Sequence, residues 1–242
     1  MANDKSPDNT HVNIRALNNE ITSCFNCPRL VQHRELVART KRSSFMNETY
    51  WGRPVSGFGD PLGRLLIIGL APAAHGANRT GRVFTGDQSS GFLMAGLKAA
   101  GLANQSLSEH LYDGLQLHDT YITCAVKCVP PENKPTSQER LQCQNYLQRE
   151  IAALGNIRIV LTLGRLAFSA YYAATVGTDK SKREPRFTHG ERYIFSPHQP
   201  SVYGSYHPSP RNTNTRLLTQ SSFERVLSAI REELDESLPQ SS

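Results

Sequence analysis

Leu65-Leu66-Ile67-Ile68 runs straight into Gly69-Leu70-Ala71-Pro72. Four apolar residues in a row, closed by glycine and proline, describe a strand covered on both faces. Such strands belong to parallel sheets, whereas a half-solvated strand alternates apolar and polar residues. Residues 121–126 and 157–163 repeat the pattern, the latter followed by Gly164. Residues 201–206 read as a fourth strand and 192–196 as a shorter fifth.

Helical patterns lie between these runs. Residues 91–100 are small and apolar and stop at Gly101. Thr136-Ser137-Gln138-Glu139 has the form of a capping box, in which Thr136 caps and Glu139 reaches back. Behind it Cys143, Leu147, Ile151 and Leu154 share one helical face. Phe223, Val226, Leu227, Ile230 and Leu234 form another apolar stripe, read as core. Strand–helix alternation predicts a parallel sheet with helices on both faces. Ligands in such folds sit beyond the carboxyl ends of the strands. Chemistry is therefore expected in the loops after residues 69, 126 and 206.

The composition agrees with one folded domain. Of 242 residues, 38% are hydrophobic and 20% charged, which excludes disorder as the main state. No stretch approaches the roughly 18 consecutive apolar residues of a membrane span. With no apolar segment near Met1 either, a cytoplasmic protein without a membrane partner is expected. Residues 1–11 and 237–242 are expected to be disordered tails around a single domain over 12–236. A formal charge of +6 favours a polyanionic partner without identifying it. Arg29, Arg34, Arg39, Lys41 and Arg42 cluster in one segment, while acids gather in residues 224–236, so a basic face and two solvated helices are both consistent with the pattern.

The first loop is long: residues 69–87 contain Gly69, Gly76, Gly81 and Gly86, with Arg79, Arg82, Phe84 and Asp87. Glycines let backbone amides approach a ligand. It is not a P-loop, since no Gly-Lys-Ser/Thr stands at the required spacing. The second loop, Cys128-Val129-Pro130-Pro131-Glu132-Asn133-Lys134-Pro135, has three prolines that fix its path. Asn133 then offers a held donor and acceptor suited to a base edge. The third loop holds His207-Pro208-Ser209-Pro210-Arg211-Asn212-Thr213-Asn214-Thr215-Arg216. Its histidine stands at a strand end, and the polar and basic residues after it suit phosphate contacts.

The chain has five cysteines, Cys24, Cys27, Cys124, Cys128 and Cys143. An odd number in a reducing compartment points away from structural disulfides. Cys24 and Cys27 form a Cys-x-x-Cys pair that Cys128 and Cys143 complete to four. Zinc and an iron–sulfur centre both accept four thiolates. Spacing neither chooses between them nor excludes Cys124, which also reads as a small buried hydrophobe.

Together these loops and cysteines resemble the uracil-DNA glycosylase superfamily, most closely its type-five branch, across roughly residues 20–235. The motifs are Gly69-Leu70-Ala71-Pro72-Ala73-Ala74-His75-Gly76, Asn78-Arg79-Thr80-Gly81-Arg82, Phe84-Thr85-Gly86-Asp87, the Cys128–Asn133 loop and the His207–Thr215 loop. The resemblance implies a three-layer α/β/α sandwich with a mainly parallel central sheet. It also implies a [4Fe–4S] cluster on Cys24, Cys27, Cys128 and Cys143, leaving Cys124 unligated, and a monomer acting on DNA that contains uracil or other deaminated bases. Phe84 would stack on a flipped base and Asn133 would read its edge. His207 and the backbone around Ala71, His75 and Gly76 would stabilise charge on the departing base. Asp87 would stabilise an oxocarbenium-like sugar or orient water. Arg79, Arg82, Arg211, Asn212, Asn214 and Arg216 would contact DNA.

Two departures stand out. Leu70-Ala71 occupies the place where some members carry a water-activating aspartate, and Arg216 stands where a glycine is expected. Lys134 is the lone lysine in these motifs and is placed outside the pocket, so no lyase activity is expected. Two rival readings remain open. A non-catalytic iron–sulfur DNA-binding protein leaves Asp87, His207 and Phe84 unexplained. A zinc-stapled hydrolase of small nucleotides leaves the basic segments unexplained.

Overall fold

The computed structural model describes residues 7–177 and 183–236. Its centre is the strand β2, Leu65–Gly69, buried along its whole length. The edge strand β1 is Phe58–Gly59, and β3 to β6 are Thr120–Cys124, Ile159–Leu163, Arg192–Tyr193 and Ser201–Ser205. The spatial order is β1-β3-β2-β4-β6-β5. Strands β3, β2, β4 and β6 run parallel, and each edge strand is antiparallel. The run expected to reach Val126 leaves the regular strand at Cys124. Its pairing nevertheless continues, as the Ala125 and Val126 amides donate to the carbonyls of Gly69 and Leu70 at 2.9 Å.

Alternation along β2 explains the layering. Leu65 and Ile67 face one side with Ile122, Leu161 and Tyr203. That side is covered by α4 (Gln88–Ala99) and α8 (Gln220–Glu236). Leu66 and Ile68 face the other with Tyr121, Val160 and Val202, under α1 (Pro7–Thr22), α5 (Ser137–Ala153) and α6 (Arg165–Thr175). A slip of one residue would exchange the two faces, so the burial of both pins the register. The capping box at α5 is present: the Glu139 amide donates to Thr136 Oγ1 at 3.2 Å and the Thr136 amide to Glu139 Oε2 at 2.7 Å. The stripe on α8 is core as expected.

The amino-terminal tail is shorter than expected. Residues 7–11 belong to α1, opened by Pro7 at a position that tolerates proline. Thr10, Ile14, Leu17 and Ile21 form its buried stripe. Residues 1–6 and the tail expected over 237–242 lie outside the described residues. The remaining helices are α2 (Pro28–Thr40), α3 (Ala77–Thr80) and α7 (Pro210–Asn214). Among the described residues no helix is long and apolar enough to cross a membrane. The chain leaves β2 for β3 on one side and later places β4 on the other. The crevice beyond the carboxyl ends of β2 and β4 is thus a topological switch point.

Candidate active site

A cleft of about 1550 Å³ opens there. Its wall joins Ala71, His75, Gly76, Arg79 and Asp87 from the first loop, Asn133 from the second, and His207 and Arg211 from the third. Three segments far apart in sequence therefore meet at the place the topology favours.

Asp87 caps α4, its Oδ1 accepting from the Ser90 amide at 2.8 Å. Its other oxygen lies against Gly76, where a Cβ would stand 2.4 Å from Oδ2. Glycine at 76 is what lets the carboxyl group sit there. Burial raises the Asp87 pKa, opposed by the Ser90 and Ser89 amides and by Arg79. His207 follows β6, and burial lowers its pKa to about 4. It is therefore a neutral imidazole at neutral pH, with one N–H to donate. His75 is also held below the ordinary histidine value, by burial and then by the charges of Arg42 and Arg79. Its Nδ1 is 3.1 Å from the Tyr50 hydroxyl.

Phe84 lies behind this wall rather than on it. Its ring covers Gly69, where a Cβ would come within 2.8 Å, and sits 5.9 Å from the His207 ring at 31°. Its φ of 46° is unusual for an aromatic residue. Asn133 has φ 57° in the short turn Pro131–Asn133 and projects an exposed side chain at the cleft. Asparagine tolerates that conformation better than most residues.

Three expected DNA contacts are occupied within the protein. Arg82 is 3% exposed and pairs with Asp113 at 2.7 Å, while also donating to Thr85 Oγ1 and Ser108 Oγ. It holds the loop over residues 105–114 and is not free to reach phosphate. Arg79 reaches the cleft, but its guanidinium pairs with Glu48, donates to the carbonyls of His75 and Gly86, and stacks on Phe45. Asn212 turns inward and donates to the His207 carbonyl at 2.8 Å, so it positions the histidine. Arg211, Asn214 and Arg216 are exposed, and only Arg211 lines the cleft. Arg216 has φ 58°, a left-handed conformation that accounts for the glycine expected there. The basic segment is partly internal: Arg34 is buried, while Arg29 is exposed and pairs with Glu139 at 2.8 Å.

The cleft also contains residues that belong to none of the motifs: Arg42, Phe45, Glu48, His110 and Leu166. Arg42 ends the basic run, a signal visible in hindsight. His110 sits in a loop whose shape depends on Arg82 and Asp113, which no local pattern reports.

Beneath the second loop, Cys24, Cys27, Cys128 and Cys143 line one small cavity together with Arg34 and Lys127. Cys124 is buried elsewhere, beside Phe84 and Gly69. Burial pushes the Cys27 thiol up to about 11 and the Cys128 thiol up to about 12. Among the described residues no three of the potential ligands are gathered as a single metal ion requires. Ala71 packs against Cys128 and Cys143, so cavity and cleft share a wall.

Residues 56–231 match the sequence profile of the uracil DNA glycosylase superfamily. The chain belongs to that superfamily. A type-5 uracil-DNA glycosylase of Thermus thermophilus is 46% identical over 207 residues, covering 86% of this chain and 92% of the relative. A type-5 uracil-DNA glycosylase of Pyrobaculum aerophilum is 43% identical over 86% of this chain and 88% of its own. A type-4 uracil-DNA glycosylase of Sulfurisphaera tokodaii is more distant, 30% identical over 71% of this chain and 72% of the relative. As a superfamily member, the chain keeps its three motif loops on one cleft.

Proposed function

We propose that this glycosylase hydrolyses the bond between uracil and deoxyribose in DNA, as a DNA-repair enzyme, with the roles set out below. The observation that carries the reading is the convergence of Asp87, Asn133 and neutral His207 on one cleft. A base must leave the duplex stack to enter it. Inserted to the depth of His207, it comes to the part of the wall that the Phe84 ring backs, 5.9 Å from the His207 ring. Asn133 pairs with its polar edge. As the bond breaks, its electron pair leaves with the base, and the His207 N–H and the backbone N–H groups around Ala71, His75 and Gly76 are placed to stabilise that developing anion. The sugar becomes cationic. Asp87, held by Ser90 and Gly76, offers negative charge beside it and a surface for the incoming water. Arg211 and Arg42 stand at the mouth, suited to phosphate.

The test is a labelled duplex with one uracil opposite guanine or adenine, assayed for alkali-labile sites. Cleavage at the uracil is expected, with none before alkali. Tight binding without cleavage would overturn the enzymatic reading. Other deaminated bases, hypoxanthine among them, belong to the same proposal and are ranked in the same assay.

A [4Fe–4S] cluster on Cys24, Cys27, Cys128 and Cys143 completes the proposal. Buried thiols with raised pKa values become thiolates at neutral pH only with a cation to hold them. Cys27, Cys128 and Cys143 have such raised values, and four cysteines around one cavity suit a multi-iron centre, whose own width spreads its ligands. When bound, the cluster supplies a structural staple between the amino-terminal segment, the Asn133 loop and α5. Four irons per chain and absorption near 400 nm are expected, and a colourless, iron-free protein after anaerobic purification would overturn this part.

A further inference from the structure

Among the described residues, Arg34 carries a charge with no carboxylate paired to it. It lies on α2, is 1% exposed, and takes part in none of the described ion pairs. Its Nη1 donates to the Cys24 carbonyl and to Cys128 Sγ, each at 3.1 Å. Its Nε is buried without a partner. Phe25 covers the guanidinium at 4.9 Å. Arginine does not deprotonate in proteins, and an unpaired buried cation is among the costliest groups a fold can hold. Lys127, the other cation lining the cysteine cavity, already has Glu150 at 2.5 Å as its counter-charge. Arg34 alone lacks an anion, and it points at sulfur.

We infer that Arg34 is the charge partner of the cluster, donating to the Cys128 sulfur and setting how readily the centre is reduced and how firmly it is retained. The inference rests on the cluster reading above. Four thiolates on a four-iron, four-sulfide core carry net negative charge, which a buried guanidinium neutralises. A hydrogen bond to a ligand sulfur and a nearby positive charge both favour the more reduced state. The orphaned Nε and the sulfur contact then have one explanation: the fold reserves a cation for an anionic guest. The Arg34 side chain does not line the cleft, so this is tuning and retention, separate from base excision.

The test compares wild type with Arg34→Gln, which keeps an N–H donor without charge, Arg34→Lys, which keeps charge without the fork, and Arg34→Met, which keeps neither. Iron and sulfide content, midpoint potential by voltammetry and the rate of bleaching near 400 nm under chelator are read on protein purified anaerobically. The Gln variant should shift the reduced-to-oxidised equilibrium by about tenfold, roughly 59 mV more negative for one electron, and bleach about tenfold faster. The Lys variant should shift less. Thermal melts give a second readout that simple packing would not reproduce. Met should melt below wild type with the cluster and above it once both are stripped, because stripping leaves wild type with an unpaired cation. Full-iron variants with wild-type potential and bleaching rate overturn the inference. So does Met moving the melt the same way in both states, or failure of every variant to fold. Iron-free wild type would instead sink the cluster reading itself.

Discussion

Asp87 has two possible duties, and two substitutions separate them. As the cap of α4 it accepts one hydrogen bond, from the Ser90 amide at 2.8 Å. As a catalytic group it contributes charge. Asp87→Asn preserves the acceptor, since asparagine caps about as well as aspartate; Asp87→Ala removes it for about 1 kcal/mol. For a chain of this size that is roughly 2–4 °C in Tm. The charge is worth more in the reaction. A carboxylate about 4 Å from a cationic sugar contributes about 4 kcal/mol at an effective dielectric of about 20, or roughly three decades in rate. Asn should therefore melt near wild type yet slow single-turnover uracil excision by about 10²–10³-fold. Ala should lose both stability and rate. The assay is single-turnover cleavage of a uracil duplex beside a thermal melt. An Asn variant that cuts within threefold of wild type would refute the electrostatic role and leave Asp87 a cap.

The raised Asp87 pKa adds a pH signature: excision should fall on acidification before an ordinary carboxylate would protonate. His207 has the opposite sign, with its folded pKa near 4 against about 6.5 unfolded. The unfolded chain takes up that proton first, so stability should drop as pH falls from about 6.5 to 4, by up to about 3 kcal/mol. Urea titrations of wild type and His207→Gln across that range check it, and the variant should lack the drop. Arg82→Ala should cost about 3 kcal/mol by stranding the half-buried Asp113 carboxylate, while leaving the salt dependence of DNA binding unchanged. Arg211→Ala should reduce that salt slope by about 0.9, the share of one phosphate contact; log–log binding isotherms read both. Gly76→Ala should displace the Asp87 carboxyl group and abolish excision at nearly wild-type DNA affinity.

The sheet was legible because both faces of each central strand are buried, which writes itself as unbroken apolar runs. Edge strand β1 was not, since Phe58–Gly59 is two residues long and has no period. Helix α1 is faint in the sequence although Ile14, Leu17 and Ile21 carry a helical stripe, because the stripe is thin and polar residues dominate around it. At the site, glycine-rich and proline-rich loops announced where the cleft walls would be. They did not tell which arginines would be free. Arg82 and Arg211 look equally suited to phosphate in sequence. The distant Asp113 captures one, and among the described residues no ion pair captures the other.

This difference follows from how such a site must be built. Its three loops leave the sheet separately, and each contains only one short helical segment of its own. Buried polar contacts hold them instead. Arg79 ties residues 75 and 86 together, and Arg82 ties its own loop to residues 108–113. Asn212 fixes the backbone that carries His207. The Asn78 side chain donates to the Arg34 carbonyl, which joins the catalytic loop to the helix beside the cysteines. Cations placed in these motifs therefore serve preorganisation before they serve binding. Catalysis by fixed dipoles and charges requires that order, because a group that must still be oriented when the substrate arrives loses much of its electrostatic effect. A mutation in this inner set should slow excision through misplacement of Asp87, Asn133 or His207. A mutation of Arg211 at the rim should weaken DNA capture and leave the chemical step at its wild-type rate.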